Sequence, residues 1–209
     1  MKITLLLASC LCFSASLIAQ DIVLPPAQKT GGMPLMEALA KRSSLRSFDP
    51  SRELREAKLS NLLWAAWGIN RPDGRRTAPS ARNFQECDLY VLLKSGSYLY
   101  DAREHKLVRV GGEDLRGISG TQSFVKDAAA TVLIVANLAK LQGSDVEGRK
   151  QLAYIDAGYI SQNMYLYCAS ENLATVVRAM IDRKALSEKL GLKPDQYIVV
   201  GQCVGHPLR

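Results

Sequence analysis

The sequence predicts an α+β protein built around a mainly antiparallel sheet. Three observations carry this. Segments rich in β-branched and aromatic residues cluster in the middle of the chain, in "DLYVLLK", "SYLYD", "KLVRV" and "ATVLIVANL", and part of that run reads as a hairpin. Helical periodicity lies on both sides of the cluster. Helices and strands do not alternate as a regular βαβ array. The 209 residues, 47% hydrophobic and 22% charged, suffice for one domain with its own core and no disulfide staples.

The elements follow in order. Residues 1–19 carry one lysine, then an apolar stretch ending in small residues, which is the layout of a secretory signal cleaved after Ala19. Export to the periplasm or beyond is therefore expected. Cys10 in "LASC" offers a lipoprotein alternative, disfavoured because the apolar run continues past it. As an uncleaved anchor the run is short of the ~20 apolar residues a bilayer needs, and no other segment could span one. Residues 20–33, "VLPPAQKTGGMP" included, form an extended lead-in, and residues 34–209 form the domain.

Within that domain "PLMEALA" is a short amphipathic run. "REAKLSNLLWAAWG" places Leu59, Leu62, Leu63 and Ala66 at helical spacing, with Gly68 as the stop. "SYLYD", the turn "AREH" and "KLVRV" form the hairpin, and "GEDLRGISGTQSFVKDAA" reads as short helical pieces before the next strand. The longest helix is expected over residues 144–171. Its many small residues, Ala153, Ala157, Gly158, Ser161 and Ala169, would let another helix approach closely. "LATVV" is a strand, "DRKALSEKLG" a helix capped by Asp182 and ended by Gly191, and "QYIVVGQCVG" the last strand.

The formal charge is +7, or +6 without Lys2, but the cations are scattered and no basic stripe is interleaved with aromatics, so nucleic-acid binding is not expected. Cys87, Cys168 and Cys203 form no CxxC and no metal-like cluster with His105 and His206, and read as small buried hydrophobes. The one concentrated anion-binding feature is "KRSSLRSF". Arg42 and Arg46 lie four apart with hydroxyls between, able to give charged bidentate hydrogen bonds to a phosphate. The competing reading is that they complement a helix dipole or solvate a surface.

"KRSSLRSF", "PSARNFQ" and "LGLKPDQYIVVGQCVGHP", in that order and spacing, resemble the nitroreductase-like FMN-dependent oxidoreductases from about Pro34 to Pro207. "GSYLYDAREHKLVRV" followed by "DLR" and "QSFV" also resembles the azoline dehydrogenase branch of that superfamily. The resemblance implies a nitroreductase-like fold with a long central dimer helix, and a homodimer with FMN at the subunit interface. Arg42, Ser44 and Arg46 would grip the FMN phosphate and ribityl chain, with Ser43 contributing its backbone. Pro79, Ser80, Ala81 and Asn83 would reach the flavin of the opposite subunit, and Gln122 would meet its pyrimidine edge; an exposed loop amide is the alternative for Gln122. Val177, Arg178 and Ala179 would lie along the ring with a backbone N–H near the reactive nitrogen. Arg178 departs from the Gly or acidic residue common there, and bears on substrate access or redox potential. The chain stops at Arg209, the candidate for the phosphate contact that relatives place further on.

Such a site needs no triad, paired carboxylates or metal, because the flavin carries the electrons. The activity implied is ping-pong transfer from a reduced donor, NAD(P)H being the candidate, to a nitroaromatic or quinone. Two alternatives are a flavin-sequestering protein without turnover and a dehydrogenase of a peptide-derived ring. Export bears on the donor, since nicotinamide cofactors are scarce outside the cytoplasm.

Overall fold

The computed structural model describes residues 20–142 and 145–208; residues 1–19, where a signal segment is expected, and Arg209 lie outside them. Seven strands form one antiparallel sheet: β1 (Ile22–Val23), β2 (Cys87–Leu93), β3 (Gly96–Asp101), β4 (Lys106–Gly111), β5 (Ala130–Asn137), β6 (Ala174–Arg178) and β7 (Gln196–Gly205), in the order β1-β4-β3-β2-β5-β7-β6. Four α-helices accompany it: α1 (Leu35–Lys41), α2 (Glu56–Trp67), α3 (Val146–Ser170) and α4 (Arg183–Leu190).

β5 is apolar from Val132 to Ala136 because both of its faces are covered. Val132, Ile134 and Ala136 point to a layer formed by Leu62 and Leu63 of α2 and Ile160 and Met164 of α3. Leu133 and Val135 point the other way, toward Leu186 and Leu190 of α4. The two-residue alternation of a strand thus builds two cores from one segment. A third cluster, Phe48, Val125, Ala128, Ala174, Val176 and Cys203, closes the sheet beside β6.

Asp182 caps α4 by accepting from Ala185 N at 3.0 Å, and Gly191 ends it at φ +62°. Gly68 ends α2 for a different reason than a left-handed turn. Its φ is −70°, and a Cβ there would overlap the Trp64 side chain and backbone. The small residues of α3 admit another helix of the same chain, α2. Ala153, Ala157 and Ser161 are buried within this chain, so their close approach is to its own sheet and to α2.

The lead-in is not a loose tail, since β1 pairs with β4 and Leu24 enters the core. It is latched by a relay through His105, whose φ of +48° turns the β3–β4 hairpin. Ser60 Oγ donates to Pro25 O at 2.6 Å. Ser60 has one hydroxyl proton, so at the 2.7 Å contact His105 Nε2 is the donor to Ser60 Oγ. Nδ1 then accepts from Tyr100 OH at 3.0 Å. The relay needs a neutral imidazole, and burial holds the His105 pKa below its ordinary 6.5.

A depressed histidine pKa contributes stability above the ordinary value that is lost as pH falls through the folded one. We therefore expect His105→Ala to lose two hydrogen bonds of about 1 kcal/mol each near neutrality. It should also flatten the decline in melting temperature below pH 6.5. Thermal melts across pH check both; an unchanged acid slope contradicts the latch.

Candidate functional site

α1 ends at Lys41 because Arg42 takes extended angles, φ −56° and ψ 123°. The following segment then runs beside the edge strand β6, with Leu45 N donating to Thr175 O at 2.9 Å and Phe48 bridged to Pro207. Extended backbone sends alternate side chains to opposite sides. Arg42 and Ser44 both turn to Tyr165 of α3. Lys41, Ser43 and Leu45 line a cleft of about 180 Å³ with Tyr165, Thr175 and Pro207.

Tyr165, on α3, organises this corner. Its hydroxyl lies 2.9 Å from Ser44 Oγ and accepts from Val177 N at 3.0 Å. The Arg42 guanidinium sits over its ring at 5.4 Å. One buried phenol therefore ties the "RSSLR" segment to β6 and to α3. Beneath it, Ser161 Oγ donates to Gln202 Oε1 at 2.7 Å, and Gln202 Nε2 donates to Thr175 Oγ1 at 3.0 Å. This buried polar chain is complete, so it fixes the register of α3 against β7 and β6.

Beyond Val177, Arg178 turns to the face of the sheet opposite α3 and is buried, its guanidinium donating to Ser119 O at 2.6 Å and Ser119 Oγ at 2.9 Å. Gln122 lies against the same loop, with Nε2 on Met180 Sδ at 3.4 Å. Its Oε1 is buried without a donor, and Arg178 Nε is buried without an acceptor. An orphaned acceptor beside an orphaned donor marks a place where a polar ligand edge can bind. Ala179 follows β6 directly.

The "PSARN" loop is attached elsewhere. Ala81 N donates to Asp156 Oδ2 at 2.8 Å, and Ser80 Oγ accepts from Gln85 N at 3.1 Å. Arg82, Asn83 and Gln85 all have positive φ, 48°, 57° and 47°. Such backbone is unfavourable outside glycine and persists where the surroundings over-determine it, a pattern common at ligand clamps. Pro79 and Asn83 face solvent. Under the loop Glu86 is fully buried, and burial first, then the neighbouring Asp156, raises its pKa.

The structure thus brings Arg42, Ser44, Val177 and the cleft beside Ser43 together on Tyr165, and Gln122 together with Arg178. Pro79, Ser80, Ala81 and Asn83 are not with them. Asp156 and Tyr165 are nine residues apart on α3, roughly 14 Å along the axis at 1.5 Å per residue. Arg46 is exposed, and Arg209 lies outside the described residues. Sequence reasoning missed Tyr165, Asp156, Ser119 and Gln202. Among the described residues no group of histidines, cysteines and carboxylates could hold a metal ion, and no helix is long and apolar enough to cross a membrane.

This architecture defines an α+β class with one seven-stranded antiparallel sheet packed on a long helix. The chain belongs to the nitroreductase family, whose model matches residues 39–206. It is 30% identical over 154 residues to a Methanocaldococcus jannaschii protein described as a putative nitroreductase, covering 68% of this chain and 76% of that one. A nitroreductase crystal structure from Ralstonia eutropha, also described as putative, superposes with a TM-score of 0.86 at 39% identity, covering 91% and 90% of the two chains. The fold is shared with a Desulfovibrio desulfuricans structure described as a putative nitroreductase in complex with FMN (TM-score 0.62, 19% identity, 86% and 89% covered). It is shared too with the NADPH:FMN oxidoreductase of Vibrio harveyi complexed with NAD+ (TM-score 0.63, 19% identity, 84% and 69% covered).

Tyr165→Phe keeps the ring under Arg42 but leaves Val177 N and Ser44 Oγ without their partner. We expect a loss of about 1 to 2 kcal/mol in denaturant unfolding. Stability equal to wild type would show that the phenol organises nothing.

Proposed function

We propose that this chain is an FMN-dependent oxidoreductase that works as a homodimer. It would pass electrons from a reduced donor, NAD(P)H being the candidate, to a small nitroaromatic or quinone acceptor. The observation that carries the reading is the convergence of Arg42, Ser44 and Val177 on Tyr165. It is a cationic, hydroxyl-bearing clamp at the end of the strand that leads to Ala179. The FMN complex of the Desulfovibrio relative and the NADPH:FMN oxidoreductase activity of the Vibrio one support the choice of cofactor.

The residues present fit that group. The guanidiniums of Arg42 and Arg46 suit phosphate oxygens, and Ser44 adds a neutral hydrogen bond. Gln122 Oε1, buried and lacking a donor, suits the N–H of the flavin's pyrimidine edge. Thr175 O and Val177 N both point outward from β7, and each already has a partner. By strand alternation the next outward amide is that of Ala179, which makes it the donor placed for the ring's reactive nitrogen. FMN supplies the electron-transfer chemistry; the protein binds, orients and supplies the electrostatics.

The dimer reading rests on exposed apolar surface as well as on the separated loops. Tyr154, Ile155 and Tyr159 of α3 and Leu35, Met36 and Leu39 of α1 are exposed, although α1 and α3 pack on each other. A helix apolar on more than one side is normally covered on each. A second copy is the occupant that would also bring its "PSARN" loop to a site which the chain's own loop, near Asp156, does not reach. Such an interface should exceed about 2,000 Å².

Arg42→Ala and Arg46→Ala should each weaken FMN binding tenfold or more, the equivalent of about 1.5 to 3 kcal/mol for a charged hydrogen bond. Wild-type affinity in both, or preference for riboflavin over FMN, contradicts the phosphate assignment. Mixing inactive Arg42→Ala,Arg46→Ala subunits with inactive Asn83→Ala subunits should restore activity in mixed dimers. Its absence there contradicts a shared site. Export is part of the proposal: native material should begin near Gln20, and an intact Met1 in the cytoplasm would refute it.

A further inference from the structure

Arg178 is the one buried guanidinium of the site region whose role the preceding reading leaves open. It is 5% exposed, and its hydrogen-bond partners are two neutral oxygens of Ser119, at 2.6 and 2.9 Å. Among the described residues no carboxylate forms an ion pair with it. Asp114 is held by Arg116 at 2.7 Å, and Asp182 caps α4. Lys126, on the same loop, is exposed. A guanidinium stays charged, and a buried charge held only by neutral dipoles is under-compensated. Its Nε has no acceptor.

The loop is shaped for this charge. A Cβ on Gly120 would overlap Arg178 Nη1 and come within 3.2 Å of Gln122 Oε1. The cation and the orphaned amide oxygen therefore flank the same glycine. Ser119 is fixed in turn, with Oγ donating to Arg116 O at 2.7 Å. A ligand that satisfies both groups presents an N–H next to an edge that can carry negative charge. The pyrimidine edge of a reduced flavin has that chemistry.

We propose that Arg178 is a positioning residue that braces the 117–122 loop so that Gln122 faces the flavin, and whose buried charge favours the reduced, anionic cofactor over the oxidised one. The inference rests on the FMN reading above. The redox balance is that of hydride transfer from a reduced nicotinamide: two electrons and one proton enter the ring, the nicotinamide leaves oxidised, and one negative charge is left for Arg178 to stabilise.

The test is the midpoint potential of bound FMN in the holoprotein, by spectroelectrochemistry. Arg178→Gln should lower the ratio of reduced to oxidised FMN affinity at least tenfold, a fall of about 30 mV for a two-electron couple. Arg178→Lys, which keeps the charge, should stay within about threefold of wild type, or 15 mV. Gly120→Ala, which displaces the guanidinium, should fall with the Gln variant. An unshifted potential in Arg178→Gln overturns the proposal.

If the variants do not fold, the wild type decides. One proton per two electrons gives a slope of about 30 mV per pH unit between about pH 6 and 8, whereas two protons give about 59 mV and overturn the proposal. Purified protein that binds no FMN contradicts the flavin reading itself; bound FMN with an unshifted potential contradicts only the role of Arg178.

Discussion

α3 is the constraint on which the rest of the structure depends. Its buried side, Ala153, Ala157, Ile160, Met164 and Cys168, is seated against the sheet and α2. The Ser161–Gln202 bond, whose acceptor residue is held in turn by Thr175, locks that seating, because a one-residue slip of α3 would strand two buried polar groups, Ser161 Oγ and Gln202 Oε1. With the register fixed, Tyr165 can only meet Ser44 and Val177, and Asp156 can only meet Ala81. Two loops distant in sequence thus acquire defined positions from one helix.

The electrostatics of those two ends differ. Beside Tyr165 the charge is a cation, Arg42, with Arg46 exposed further along the same segment, suited to an incoming anion. Around Asp156 the charges are buried carboxylates, with Glu86 pushed toward its neutral form by burial and by Asp156. The acidic end holds a strained loop in place through its backbone, and the basic end is left open for a ligand. Arg178 lies across the sheet from α3, its charge masked from solvent by Gly120 and Ser119. Among the described residues the three thiols, Cys87, Cys168 and Cys203, take no part: all are buried, and burial drives the Cys168 pKa up to about 12.

Most of the fold was legible because the elements carry strong periodicity. The expected 144–171 helix is α3 at Val146–Ser170, and the expected last strand coincides with β7 at Gln196–Gly205. β1 was not legible as a strand. Two residues flanked by a proline-rich run have no period, and their pairing depends on His105 about eighty residues away. The small residues of α3 were visible, but a helical period does not say which face meets the chain's own sheet. At the site, Arg42 and Arg46 stood out as two arginines four apart with serines between, and the family resemblance singled out Ser44. Tyr165 reads in sequence as one more core aromatic, and nothing local to Arg178 points to Ser119, 59 residues earlier.

The central claim is that a flavin site is assembled from the Tyr165 end of one α3 and the "PSARN" loop of a second copy. Native mass spectrometry of the FMN-saturated protein tests it most directly. The account predicts a dimer carrying two FMN, with cofactor lost whenever the dimer is driven to monomers by dilution. A monomer that retains one FMN with undiminished affinity would contradict it.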